Sequence, residues 1–175
     1  MNLKDYIRSI KDYPKKGILF RDITTLIKNE KAFTKCIEEI AERSKNFEFN
    51  KVAAIESRGF VFASAVAYVL KKPFILLRKK NKLPAETHSV EFELEYGKAI
   101  MEIHKDSIEQ NDSVLLIDDL IATGGTAGAA AKLIEISKGK VAGFIFVINL
   151  FDLGGYDNLI KKGHKVENLI DFPGH

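Results

Sequence analysis

Apolar residues at Phe33, Cys36, Ile37, Ile40 and Ala41 recur every three or four positions, which puts them on one face of a helix, and Asn29 stands ahead of them as an N-cap. The period then changes. Val52-Ala-Ala-Ile55 reads as a short strand, followed by a glycine-containing turn and a second helical stretch from about Phe60 to Leu70. Phe74-Ile-Leu-Leu77 is an apolar run too short for a helix, and Pro73 before it favours a buried strand. From 81 to 99 the chain turns polar and carries Pro84 and Gly97. There Val90, Phe92 and Leu94 alternate with Glu91, Glu93 and Glu95, which predicts a long excursion ending in hairpin-like strands. Val114-Leu-Leu-Ile117 is the most marked strand and runs directly into Asp118-Asp119 and then Thr123-Gly-Gly-Thr126. Ala127 to Ile136 returns to helix, and Phe144-Ile-Phe-Val-Ile148 is the last apolar run. Strands alternating with helices predict an α/β fold: a mostly parallel twisted sheet with helices on both faces.

A chain of 175 residues, 46% hydrophobic and 29% charged, suits one domain spanning residues 1–175 and leaves no room for a second. No run of about eighteen uncharged apolar residues occurs, and the opening Met1-Asn-Leu-Lys-Asp5 lacks the basic-then-apolar layout of a signal peptide. The expectation is a soluble cytoplasmic protein with no membrane partner. A single cysteine, Cys36, excludes an internal disulfide and a cysteine-based zinc site. His88, His104, His164 and His175 are too scattered for a metal site or a nucleophilic triad. A net charge of +3 with a pI near 8.8 is too weak to argue for nucleic acid. The placement of charge says more. Lys71, Lys72, Arg78, Lys79, Lys80 and Lys82 crowd one region while Asp118 and Asp119 stand together in another. That separation fits either a solvated basic face or a substrate carrying both phosphates and a diol.

The stretch from Val114 to Thr126 puts a glycine-rich turn between a buried strand and a helix, so backbone N–H groups and the helix's positive end converge on one point. A phosphate monoester is the natural occupant. Gly124 and Gly125 let the backbone come close to it, and Thr123 and Thr126 add hydroxyl donors. Asp118 and Asp119, at the strand's carboxyl end, are suited to accept hydrogen bonds from vicinal hydroxyls such as those of ribose. The spacing matches neither the triphosphate loop G-x-x-x-x-G-K-[ST] nor the dinucleotide pattern G-x-G-x-x-G.

Two acids and Ala-Thr-Gly-Gly-Thr after an apolar strand resemble the signature with which phosphoribosyltransferases bind 5-phosphoribosyl-1-pyrophosphate. Four more segments, spread from about Tyr13 to Leu150, are similar to the adenine phosphoribosyltransferases of the type I purine family. Tyr13-Pro-Lys-Lys-Gly-Ile-Leu-Phe-Arg-Asp-Ile23 is similar to that family's base-covering segment, a small hood within residues 1–30. It implies that backbone groups around Leu19, Phe20 and Arg21 meet the adenine edge, supplying both an acceptor and a donor. Ala54-Ile-Glu-Ser-Arg-Gly-Phe60 resembles the pyrophosphate loop, implying contacts from Ser57, Arg58 and Gly59 and a strained, non-proline cis peptide near Ser57 and Arg58. Phe62 and Ala63 stand where the family often has a further glycine. Arg78-Lys-Lys-Asn-Lys-Leu-Pro84 resembles the segment that brings cations to pyrophosphate, often across a homodimer interface, and implies roles for Arg78, Lys79 and Lys82. Phe92-Glu-Leu-Glu-Tyr-Gly-Lys98 is similar to the flap, residues 81–101, with Glu95 and Tyr96 as its working residues.

The resemblance implies transfer of the 5-phosphoribosyl group to adenine, giving AMP and pyrophosphate, with Mg²⁺ held mainly by pyrophosphate and ribose oxygens. Hypoxanthine and guanine enzymes usually carry an aspartate where this chain has Ala122, so Glu95 becomes the candidate proton acceptor; read without the family, it is one more exposed strand glutamate. Asp118, Asp119, Ala122, Thr123, Gly124, Gly125 and Thr126 are implied to hold the ribose and its 5-phosphate. DNA-binding relatives of such proteins carry an added domain. The roughly fifty residues before the first core strand already hold the base-covering segment and leave no place for one.

Overall fold

The computed structural model describes residues 1–94 and 96–175. Strands β1 (Arg8–Lys11) and β2 (Leu19–Asp22) pair antiparallel as a two-stranded sheet of their own, with Phe20 opposite Ile10 and Arg21 opposite Ser9. A single helical turn, α1 (Thr24–Ile27), leads into the amphipathic α2 (Glu30–Ser44). Asn29 caps α2 as its position implied, its side chain accepting the Ala32 N–H at 3.0 Å, and Ala32, Cys36, Ile37 and Ile40 form the buried face.

The main sheet has seven strands: β3 (Lys51–Ile55), β4 (Phe74–Lys79), β5 (Thr87–Glu93), β6 (Lys98–His104), β7 (Ser113–Ile121), β8 (Lys140–Leu150) and β9 (Val166–Phe172), in the order β5-β6-β4-β3-β7-β8-β9. The five strands from β4 to β9 in that order run parallel, and the β5–β6 hairpin adds two antiparallel strands at one edge. Helices α3 (Arg58–Leu70), α4 (Gly125–Ile136) and α5 (Gly155–Lys161) carry the crossovers.

Period-two alternation assigns each face its helix. Val52, Ala54, Leu115 and Ile117 pack with Phe62, Ala63 and Val66 of α3 and with α2, while Ala53, Val114, Leu116, Phe144 and Phe146 pack with Ala130, Leu133 and Ile134 of α4. Covered on both faces, these strands read as continuous apolar runs, and the mostly parallel sheet is as expected. Phe62, Phe144 and Phe146 are fully buried. Truncating any one to alanine costs about 3–5 kcal/mol, a large part of the ~5–15 kcal/mol that holds a domain together. The sheet is therefore a rigid base for whatever its loops carry.

Three expectations need correction. Asp118 and Asp119 lie within β7 rather than beyond it, because β8 pairs with β7 as far as Ile121. The run Phe144–Ile148 is not the last strand: β9 follows at the sheet edge, where one open side lets Glu167, Asn168 and Asp171 interrupt its apolar residues and hide its period. Leu94, read as part of the alternating hairpin stretch, lies just after β5 ends at Glu93 and is exposed. No helix among the described residues is long and apolar enough to cross a membrane.

Candidate active site

β3 is the strand from which the connections diverge. α3 takes the chain from β3 to β4 across one face, and α4 takes it from β7 to β8 across the other, so a crevice opens at the carboxyl ends of β3 and β7. A cavity of about 440 Å³ occupies that crevice. Glu56, Ser57 and Arg58 line it from the β3–α3 turn, Lys79 from the end of β4, and residues 118–127 from β7 and the following loop.

Two helices begin at this cavity. Ser57 precedes α3 and Gly124 precedes α4, and neither helix receives a side-chain cap among the described residues. No side chain among the described residues competes for these helix starts, and each positive end favours an anion. Gly124 is held at φ +88°, a left-handed conformation that favours glycine. Gly59 answers a different need. A methyl group there would stand 2.5 Å from Asp118 Oδ1, so its absence lets the first turn of α3 lie against β7. The Glu56–Ser57 peptide is cis, within the loop where the resemblance implied a cis bond.

The acid pair is the most costly feature of the site. Asp119 is 4% exposed, and its N–H donates to Asp118 Oδ1 at 2.9 Å. Burial raises the Asp118 pKa well above the usual carboxylate range, and the neighbouring charge of Asp119 adds to the rise. Burial raises Asp119 too, opposed chiefly by the Arg58 guanidinium. Arg58 Nε lies 2.9 Å from Asp119 Oδ2, yet that oxygen has no aligned hydrogen bond among the described residues. Since Arg58 is 46% exposed, the pair contributes about 0–1 kcal/mol, less than the cost of burying its carboxylate. Carboxyls with such raised pKa values in a cleft make Asp118 and Asp119 candidates for ligand contact.

Of the cationic residues singled out from the sequence, Arg58 and Lys79 face the cavity. Arg78 and Lys82 lie outside its described lining: Arg78 Nε sits 3.5 Å from Glu56 Oε1, and its Nη1 donates to the Lys82 carbonyl at 3.4 Å. Leu19, Phe20 and Arg21 also lie outside that lining, but the Phe20 ring approaches it, 5.5 Å from the Arg58 guanidinium and edge-on to Tyr13. Tyr96 is exposed, with Lys15 Nζ 3.5 Å above its ring, and Glu95 lies outside the described residues.

Two contributors went unread in the sequence. Glu56 lines the cavity, and its Oε1 accepts the Lys79 N–H at 2.5 Å, fixing the end of β4 against the β3–α3 turn. Gly155, at the start of α5, packs against the loop from Ala122 to Gly124 and donates its N–H to the Ala122 carbonyl at 3.0 Å. The doubled glycine at 154–155 was its available signal; for Glu56 it was the neighbouring Ser57-Arg58.

An acid pair near the end of β7 beside two helix N-termini, at the switch point of a parallel sheet, is the kind of site a transferase acting on a phosphorylated substrate uses. A family model described as the phosphoribosyl transferase domain matches residues 22–170. The adenine phosphoribosyltransferase of Pelagibacter ubique is 77% identical to the chain over 175 residues, all of both proteins. The crystal structure of the adenine phosphoribosyltransferase of Thermoanaerobacter pseudethanolicus matches with a TM-score of 0.93 at 46% identity, covering 97% of this chain and 98% of that one. That of Saccharomyces cerevisiae, complexed with an imino-altritol bisphosphate and adenine, matches with a TM-score of 0.88 at 33% identity, over 96% of each chain. The chain belongs to the phosphoribosyl transferase family and, within it, to the adenine phosphoribosyltransferases.

Proposed function

We propose that this chain transfers the 5-phosphoribosyl group of 5-phosphoribosyl-1-pyrophosphate to N9 of adenine, giving AMP and pyrophosphate. The observation that carries the reading is the half-buried Asp118 and buried Asp119 beside the start of α4, which has no side-chain cap among the described residues, one cavity offering acceptors for a diol and donors for a phosphate. Asp118 and Asp119 hold the ribose hydroxyls. The backbone from Ala122 to Gly125, with the hydroxyls of Thr123 and Thr126, holds the 5-phosphate. Ser57, Arg58 and Gly59 at the start of α3, with Lys79, receive the pyrophosphate, and Arg58 remains charged as it leaves. Anchoring the donor at both ends holds its anomeric carbon in place for attack.

Residues 1–30 serve as the hood over adenine, with the backbone of Leu19, Phe20 and Arg21 reading its edge. Residues 81–101 serve as the flap, from which Glu95 takes the proton adenine sheds while Tyr96 excludes water that would hydrolyse the donor. Mg²⁺ fits this site. The hard oxygen atoms of Asp118 and Asp119 stand in the same cavity as Arg58 and Lys79. A bound Mg²⁺ would be held mainly by pyrophosphate and ribose oxygens of the donor, with Asp118 and Asp119 beside it. When bound it neutralises charge on the leaving group. The acting form is a homodimer, with Arg78 and Lys82 serving the partner subunit's pyrophosphate, and the compartment is the cytoplasm.

The test is pyrophosphate release with Mg²⁺, the ribosyl donor and each purine in turn. Release with adenine alone is expected. No release, or equal release with hypoxanthine or guanine, overturns the reading.

A further inference from the structure

Arg21 carries its side chain away from the cavity its strand is proposed to cover. Residues alternate along β2: Phe20 approaches Arg58, and Arg21 is buried elsewhere, only 6% exposed. Its Nη1 donates to Ser9 Oγ at 2.5 Å and its Nη2 to the Pro173 carbonyl at 2.8 Å, and the guanidinium lies 4.4 Å from the centre of the Phe172 ring. Its Nε is buried without a hydrogen-bond partner among the described residues. Asp152 grips the same tail, Oδ1 accepting the Gly174 N–H at 2.6 Å.

One side chain thus ties three pieces of chain together: β1 through Ser9, β2 through its own backbone, and the end of β9 through Phe172 and Pro173. Stability alone does not explain it. Burying a guanidinium with a donor unspent costs more than packing an apolar side chain on Phe172. What the planar fork supplies is a fixed orientation. The β1–β2 hairpin needs one, since two strands alone are marginal in water. Without an anchor the hairpin would not hold its inner residues at a set height above the cavity.

We propose that Arg21 is a positioning residue for the base: by fastening β2 to Pro173, it holds Phe20 and the adjoining backbone at the height the purine requires. The proposal rests on the reading of residues 1–30 as the adenine hood. It makes the last few residues of the chain part of base recognition although they lie off the cavity lining.

The test is steady-state kinetics on Arg21→Lys, Arg21→Gln, a chain ending at Phe172, and Arg21→Gln combined with that truncation. KM for adenine should rise about tenfold in each single variant while KM for the ribosyl donor stays within about twofold, because lost preorganisation is felt only by the ligand the hairpin covers. The combined variant should be no worse than either parent, since both changes remove the same contact. Melting curves identify folded variants, and the truncation tests the clamp from the side that leaves Arg21 intact. An adenine KM within twofold of wild type in the truncated chain and Arg21→Lys overturns the proposal. So does a parallel rise of both KM values, or multiplied effects in the combined variant. If the wild-type chain shows no adenine-dependent release, the hood reading itself fails and takes the clamp with it; an active wild type with unaffected variants sinks the clamp alone.

Discussion

Gly155 lies so close to Ala122 that a methyl group on its α-carbon would stand 2.4 Å from the carbonyl oxygen that accepts its own N–H. The same methyl would meet Gly124 N at 2.7 Å. These are backbone atoms, which do not move aside as a side-chain tip does. The loop proposed to hold the 5-phosphate is therefore shaped from behind by a residue outside the cavity's described lining. Gly155→Ala is expected to raise KM for the ribosyl donor, and Kd for AMP, by at least about tenfold, because displacement of a preorganised anion loop by a fraction of an ångström is felt directly. Titration calorimetry with AMP checks it. Unchanged AMP affinity in a folded Gly155→Ala chain would show that the loop yields without loss.

The acid pair predicts a conflict between stability and activity. A carboxyl whose pKa is raised by folding makes the native state bind more protons than the unfolded chain. Stability therefore falls as pH rises from the ordinary aspartate range near 3.9 through the raised value, and Asp118 is raised by burial and by Asp119. Asp118→Asn removes the penalty while keeping an acceptor for the Asp119 N–H. Melting temperature at pH 7–8 should rise by roughly 2–4 °C for each kcal/mol relieved, and the gain should vanish below about pH 4. Activity should move the other way: losing a charged partner for a ribose hydroxyl costs ~1.5–3 kcal/mol, roughly 10–100-fold in donor KM. A melting temperature lowered equally at every pH would contradict the repulsion argument.

What the sequence disclosed follows from how each feature is encoded. The central strands were legible because burial on both faces turns β3, β7 and β8 into unbroken apolar runs, and α2 because Asn29 and the spacing from Phe33 to Ala41 mark both its start and its inner face. β9 stayed hidden because an edge strand carries Glu167, Asn168 and Asp171 among its apolar residues. The loop proposed to hold the 5-phosphate could be singled out because its residues are local, ten of them from Asp118 to Ala127 reaching one cavity. Contacts joining distant segments were not. Nothing near Ala122 announces Gly155, and nothing near Arg21 announces Pro173, 152 residues away. Arg21 was read for its backbone, and its side chain has a different task.

Lys15, which follows the cis Tyr13–Pro14 bond, holds its ammonium 3.5 Å above the Tyr96 ring, joining the segments proposed as hood and flap. Tyr96 is 70% exposed, so the pair is expected to contribute about 0.5–1 kcal/mol. As a latch between two covering elements, it should govern how long the site stays shut. Lys15→Gln and Tyr96→Leu should each lower kcat and shift KM, and their double-mutant cycle should return a coupling of about that size. Simple additivity in kcat/KM would mean that the two elements close independently.

Lys79 and Lys82 come from one basic segment, yet only Lys79 faces this chain's cavity. If Lys82 serves pyrophosphate, it does so from the partner subunit, and complementation separates the two arrangements. Lys82→Met and Asp118→Ala chains should each be poorly active alone. Co-expressed, they form hybrid dimers in which the Lys82→Met chain keeps its own acid pair and receives an intact Lys82 from its neighbour. Random assortment puts half of the dimers in that form with one good site in two, so about a quarter of wild-type activity should return. Lys79→Met paired with Asp118→Ala should recover none, because Lys79 and Asp118 serve the same site from the same chain. Recovery in neither pairing, with dimers present by size-exclusion chromatography, would put Lys82 in its own chain's site and overturn the trans arrangement, and full activity of the Lys82→Met chain alone would remove Lys82 from the reaction.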